Sequence, residues 1–515
     1  MRHALARRRL SNRALMWLCV AALLLSLMPL YALSAYNHAC YDDFGFSIRT
    51  HDTWRETGSF LETVLAAVQN TVSIRDTWEG TYTTSFLSAL QPALFGEDLY
   101  WVTTALLLTF LLFAVWFFLR QTLVRTLGAD RQAFWTAFCA VTFVMVQFVP
   151  ELSEAFFWFN GGVAYTLLWA VALVRLGVWL CFERAQRRGA KVALYALLLV
   201  LTVAVGGAKY STLLLCLLAD ALLVARALLV RRRDRVAETA VLVLLLACFA
   251  FSASAPGNAV RAATLSGGMS APRAVLQAFY FGVALMGSWF SLPLLVVWAL
   301  VAWQLSEAIR GCPCRFNHPV WITALSVCLF CAQLAPTLYT GNYLGDGRTL
   351  NTYFYTFVLM SCALVLYWLG WAQRRAEDRL PFAAIGTARR DGLRLAAFAA
   401  ALVLLAVGCV SYRPEGSADW SLWNTASGSA VRSLMTGQAA AYDAAMDARD
   451  AAMNDPENTR PVLTPVDDIP SAFMGDALNA DNLDYVLSLY AEYYEKQQVT
   501  AAEGGIACSW KERTR

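Results

Sequence analysis

Apolar residues in this chain arrive in long uncharged blocks, not at the three-to-four-residue spacing of a soluble helix face. A helix needs about 20 apolar residues to cross a bilayer's hydrocarbon. By that rule the pattern predicts eleven spans, near Ala14–Ala35, Leu99–Leu119, Phe134–Val149, Val163–Phe182, Val192–Val205, Ser211–Val230, Ala237–Ala253, Leu292–Leu305, Pro319–Leu338, Thr352–Trp371 and Leu395–Ser411. The run Ala274–Leu305 is too long for one straight span, and Pro293 divides it into a surface helix and a crossing. The first block has an Arg-rich start and an Ala32-Leu33-Ser34 that resembles a cleavage site. Its apolar stretch exceeds a signal peptide's, so it reads as a retained anchor.

Between the blocks, the connection 36–98 is the longest. In it Phe60, Leu61, Val64, Leu65, Val68 and Val72 share one helical stripe with Glu62 and Gln69 opposite, the pattern of a helix lying on a membrane surface. A second short helix is expected over Thr83–Phe95, interrupted near Pro92. The tail from Tyr412 is polar, with helical stretches near Ala430–Met453 and Asp481–Gln497 around a link containing Pro456, Pro461, Pro465 and Pro470. The fold class is an all-α polytopic membrane protein. It comprises a cytoplasmic segment 1–13, a transmembrane domain 14–411 and an extracytoplasmic tail 412–515.

Composition agrees. Of 515 residues 58% are hydrophobic and only 15% charged, with mean hydropathy +0.48, which excludes disorder, a coiled coil and a disulfide scaffold. Charge sets sidedness. With the N-terminus inside, 25 Lys and Arg fall in the alternating inner segments and seven in the short outer loops, a split that obeys the positive-inside rule. The loop around Asp42 and the tail from Tyr412 therefore face the exterior. Basic residues in short clusters between apolar blocks encode topology and do not grip nucleic acid. Most of the thirteen cysteines lie in or beside apolar segments as small hydrophobes. Cys312-Pro313-Cys314 has no second pair at zinc spacing, and Cys40 and Cys508 lie outside the spans.

Three constellations carry candidate chemistry, all on the outer side. Asp42 and Asp43 follow the first span directly. Mutual repulsion and partial desolvation raise the pKa of at least one, as a general base requires. The pair equally suits a divalent cation, Mg2+ or Mn2+, and the plain alternative is two polar residues ending a helix. Next come acids flanked by aromatics: Trp78-Glu79, then Glu151 and Glu154 one helical turn apart, followed by Trp158 and Asn160. Carboxylates beside flat apolar rings suit a sugar, while the plain alternative is an aromatic belt with a charged cap. Third, Lys209, Arg261 (just after Asn258) and Arg348 are cations stranded on the outer side, where they suit an anionic lipid-linked phosphate. The plain alternative is structural pairing, Arg348 with Asp346 for example. Arg175 is read as the one charge inside a span, near a helix end.

No Walker loop, Gly-x-Ser-x-Gly elbow or His-Glu-x-x-His is present, and only four histidines occur. An N-terminus inside, one span and a long outer loop opening on Asp-Asp resemble the GT-C superfamily of membrane glycosyltransferases. More narrowly, Asp42-Asp43-Phe44, Trp78-Glu79-Gly80, Tyr100-Trp101, Ala255-Pro256-Gly257-Asn258 with Arg261, Gly347-Arg348 and Tyr493-Tyr494 are similar to a large bacterial family of polytopic proteins related to those enzymes. The resemblance implies an inverting transferase that uses a polyprenyl-phosphate sugar at the outer face. Asp42 or Asp43 would be the base, with Asp42 marginally favoured. Lys209, Arg261 or Arg348, with Asn258, would meet the lipid phosphate, and a cell-envelope polysaccharide would be the acceptor on a bacterial cytoplasmic membrane. Glu151 and Glu154 match a second acidic motif without forming Asp-x-Asp, so metal dependence stays open. Two rival readings are a lipid or polysaccharide transporter or flippase, which would carry charges at mid-membrane and internal repeats that the chain lacks, and a non-catalytic glycan-assembly partner acting through its tail.

Overall fold

The computed structural model describes residues 12–264, 267–375, 387–413, 421–479, 482–502 and 506–508, with backbone alone for 387–398 and 506–508. The helices run, in chain order, α1 (Asn12–Leu33), α2 (Asp42–Thr57), α3 (Phe60–Thr77), α4 (Tyr82–Ser88), α5 (Val102–Leu119), α6 (Arg131–Gln147), α7 (Leu168–Arg184), α8 (Arg188–Gly206), α9 (Tyr210–Leu229) and α10 (Arg235–Ala253). They continue with α11 (Gly257–Thr264), α12 (Ala271–Ser288), α13 (Leu292–Gly311), α14 (Pro319–Ala332), α15 (Ala335–Gly341), α16 (Gly347–Arg375), α17 (Thr387–Val410), α18 (Ala426–Met435), α19 (Gln438–Asn454) and α20 (Leu483–Tyr493). Among the described residues nine helices are long and apolar enough to cross a membrane: α1, α5, α7, α8, α9, α10, α13, the joined α14–α15 and α16. Nine of the eleven expected spans therefore have such a helix. The third expected span falls on α6, whose 17 residues stop before Pro150. The eleventh falls on α17, described with side chains only from Ala399.

Local chemistry explains the breaks. Ala274–Leu305 is divided, as expected, into α12 and α13, with Pro293 in the first turn of α13, where its missing N–H costs nothing. α12 is not a detached surface helix. Its small residues Ala274, Ala278 and Gly282 face α14 and α15, while Leu276, Tyr280 and Val283 stay exposed. The expected surface helix is α3. Ser59 caps it by accepting from the Glu62 amide. Thr63, Ala66 and Ala67 face the protein, and Phe60, Leu61, Leu65 and Val72 are more than half exposed.

The tail differs from its helical expectation at two points. Its first helical stretch breaks at Gly437, with φ +76°, into α18 and α19. The chain after α20 turns through Glu495 (φ +53°) into a three-stranded sheet, β1 (Val462–Leu463) parallel to β2 (Gln498–Ala501) and β2 antiparallel to β3 (Ile506–Cys508). A buried fork fixes this unit. Arg449 donates to both Asp476 oxygens at 2.9 and 2.6 Å, and Asp476 also accepts the Val466 and Leu478 amides. The tail docks on the long connection between α1 and α5, where Phe44 meets Tyr490, Tyr493 and Tyr494, and His51 stacks on Tyr493 at 3.8 Å. Cys40 is a buried free thiol, and the Cys508 side chain lies outside the described residues.

Arg175 lies midway along α7, not near a helix end, and it is not the one charge inside a span. Its guanidinium forks onto Asp220 of α9 at 3.0 and 2.5 Å, and its Nε donates to Thr202 of α8 at 2.9 Å, all buried. A charge at this depth needs a partner, because hydrocarbon offers none. Asp220→Asn will therefore destabilise the protein by about 3–5 kcal/mol in detergent thermal unfolding, and the Arg175→Met, Asp220→Leu double variant will recover most of that loss.

Candidate functional site

The turn before α2 sets the first part of the site. Tyr41 adopts φ +51°, uncommon for a residue with a side chain, and places two carboxylates in the first turn of α2, where the helix N-terminus favours negative charge. The two then diverge. Asp43 is fully buried. One of its oxygens accepts from Tyr100 Oη at 2.5 Å and the Cys40 amide at 3.3 Å, the other from the Asn160 amide at 3.0 Å. Tyr100 Oη in turn accepts the Phe159 amide at 3.1 Å. Burial pushes the Asp43 pKa up to about 7 against these donors. With both oxygens engaged, Asp43 offers little to a cation shared with Asp42.

Asp42 is half-buried, and no described group hydrogen-bonds its carboxylate. Burial raises its pKa; Arg348, Lys209 and Arg261 pull it down, and Glu79 pushes it up. All four lie within electrostatic reach, so residues that are far apart in sequence share one neighbourhood. Glu79, between α3 and α4, is its anionic node. Lys209 Nζ donates to both its oxygens at 2.7 Å, Arg261 Nη1 donates to one, and Thr81 adds a bond of 2.6 Å. Burial alone would raise the Glu79 pKa, but the two cations overcome it and hold it at about 2. Arg261 spends only Nη1 among the described residues and is one-third exposed, which leaves its other donors for an anion. Lys209 is more enclosed, at 16%.

Arg348 forms the second cationic node. It binds Glu154 through Nη1 at 3.0 Å and through its backbone amide, and it binds Asp346 through Nη2. Both the expected Asp346 pairing and a second carboxylate are therefore present. Its guanidinium lies 5.1 Å from the Trp158 ring and 5.8 Å from that of Tyr165. Glu151 is half-buried, and Asn351 pins its backbone by bonds of 2.9 and 2.7 Å. Trp158 and Asn160 are buried and serve the protein itself: Trp158 Nε1 donates to the Cys40 carbonyl, and Asn160 Oδ1 accepts from Ser88. Asn160 Nδ2, in contrast, is buried without a partner among the described residues, whereas the Asn258 side chain is fully occupied. It accepts the Gly80 amide and donates to Tyr210, Ser252 and Ala253. That clasp requires glycine on both sides, since a Cβ at Gly80 would lie 1.9 Å from the Ser252 carbonyl and one at Gly257 would lie 2.4 Å from the Trp78 nitrogen. Trp78 is 38% exposed with Arg261 over its ring.

Comparisons with protein families, with curated proteins and with solved structures find no match. Tertiary structure also recruits tyrosines that carry no local signal. Tyr165 and Tyr343 lie within electrostatic reach of Arg261, and Tyr485 of the tail within reach of Asp42. Asp220 was detectable, because a carboxylate inside a Leu-rich span demands a partner.

The depressed Glu79 pKa means that the unfolded chain binds its proton more tightly than the folded one. The clasp therefore stabilises fully above pH 4.5, and its contribution is lost as pH falls toward 2. Glu79→Gln will cost about 3 kcal/mol in thermal unfolding at pH 7, with the gap from wild type narrowing below pH 4.5. Tyr100→Phe will cost about 2 kcal/mol by the same measurement, because it removes a donor to a buried carboxylate and the acceptor of the Phe159 amide.

Proposed function

We propose that the protein is a membrane glycosyltransferase that moves a sugar from a polyprenyl-phosphate donor to a cell-envelope glycan, with Asp42 as general base. The observation that carries this reading is a half-buried carboxylate without hydrogen-bond donors, facing three cations. In the reaction, an acceptor hydroxyl attacks the anomeric carbon from the side opposite the phosphate. The bond between that carbon and the phosphate oxygen breaks, and the lipid phosphate leaves with the electron pair. Asp42 takes the hydroxyl proton. Arg261, with unspent donors, meets the departing phosphate, and Arg348 adds charge stabilisation. Lys209 holds Glu79 and so positions Arg261. Trp78 offers an exposed ring to the sugar.

In this reading the chain crosses a bacterial cytoplasmic membrane eleven times, α6 and α17 supplying the remaining two crossings. The N-terminus is cytoplasmic, the tail is extracytoplasmic, and α3 rests its apolar stripe on the outer leaflet. No nucleotide sugar reaches that face, so a lipid carrier is the donor. The Arg175–Asp220 pair is closed on itself by three hydrogen bonds, counting Thr202, and presents no open charge to a transported substrate.

Asp42→Asn will reduce donor consumption at least a hundredfold when the purified protein is incubated with a panel of polyprenyl-phosphate sugars, with its melting temperature unchanged. Undiminished consumption in that variant ends the assignment. A base must be ionised, and the Asp42 pKa is raised, so the acid limb of the wild-type pH profile will lie above the ordinary carboxylate value of 3.8.

A further inference from the structure

Apart from the Asp42 neighbourhood, a cavity of about 690 Å3 lies between the first outer loop and α19 of the tail, bordered by His38, Glu97, Asp98, Asp443 and Asp447. Asp443, Asp447 and Asp450 are spaced four and three residues apart, so α19 turns all three toward His38. The imidazole is buried between them. Its Nδ1 lies 3.3 Å from Asp450 Oδ2, and its Nε2 lies 3.0 Å from Asp443 Oδ1 and 4.0 Å from Asp447 Oδ1.

We propose that His38, Asp443 and Asp447, backed by Asp450, form a binding site for one divalent cation of the Zn2+ or Mn2+ class. The donor atoms of the three residues lie within 4.8 Å of one another, and side-chain shifts of about an ångström would bring them to the ~3.4 Å spacing that bonds of about 2.0–2.2 Å impose around a tetrahedral ion. Asp450 on Nδ1 is the outer carboxylate that metal-bound histidines ordinarily carry. It fixes the proton on Nδ1 and turns the Nε2 lone pair toward the other two carboxylates. A lone pair facing two carboxylate oxygens is repulsive unless a positive charge lies among them. The cavity leaves space for the water ligands that complete the shell, and it is also lined by His51, whose buried Nδ1 has no hydrogen-bond partner among the described residues. One nitrogen with carboxylate oxygens suits Zn2+ or Mn2+ better than Mg2+, which keeps to oxygen and water. The ion would bridge a residue four positions before Asp42 to the tail, tying the two parts of the outer face together. This site stands independently of the transferase reading.

The test is titration of the full-length, detergent-solubilised protein, stripped with chelator, with Zn2+ or Mn2+, followed by calorimetry and by metal content after desalting. One equivalent will bind saturably and raise the melting temperature, and millimolar Mg2+ will not displace it. Asp447→Asn, whose side chain is 70% exposed and does not support the fold, will weaken binding at least tenfold. Asp443→Asn will do the same. If the wild type takes up no saturable ion, the imidazole is simply protonated and the proposal fails. Binding of wild-type strength in both variants would place the ion elsewhere, at Cys312 and Cys314 for instance, and would equally overturn it.

Discussion

A buried carboxylate with both oxygens satisfied organises the loop after α1 and what packs on it. Asp43 ties three segments together: the turn after α1 through the Cys40 amide, the start of α5 through Tyr100, and the chain after α6 through the Asn160 amide. Leaving such a group without donors costs far more than any one bond returns, so the three segments are bound to each other's geometry. While Asp43 is held inward, its neighbour Asp42 keeps a carboxylate that no described donor binds, within electrostatic reach of the cations. A helix start with two adjacent acids thus separates into one structural and one available carboxylate.

The same physics governs the other charges. Four cations of the site and the spans are matched: Lys209 and Arg261 by Glu79, Arg348 by Glu154 and Asp346, Arg175 by Asp220. Pairing is obligatory where water is scarce, since an isolated ion there is costly. Matching is not equally complete everywhere. Arg175 is buried with all three of its nitrogens bonded, whereas Arg261 uses one nitrogen among the described residues and is one-third exposed, and Asp42 keeps its acceptors. The incompletely matched groups are the ones left with capacity for a ligand.

Packing links the tail to this arrangement. Phe44, next to Asp43, is enclosed by three tyrosines of α20 and its end, and Tyr485 approaches Asp42. The tail therefore covers the segment that carries both acids and does not hang free of it. Its own integrity rests on the Arg449–Asp476 fork, which fastens α19 to the loop leading into α20.

Hydropathy alone determined the membrane character and the position of most helices, because the thickness of hydrocarbon sets a length that no soluble core requires. The stripe on α3 and the break before Pro293 were equally readable, each following from local periodicity or a missing amide. Residue types in the loops and at the helix ends also singled out Asp42, Glu79, Arg261 and Arg348. What the sequence left undetermined was the pairing. The division of labour between Asp42 and Asp43, the enlistment of Asn258 and Asn160 as scaffold, the partnership of Arg175 with Asp220, and the meeting of His38 with α19 some 400 residues away depend on which segments become neighbours. That is decided by the packing of whole helices and the tail. The reason is one of range: burial and helical period act over a few residues, whereas a buried charge accepts whichever partner the fold brings within about 3 Å.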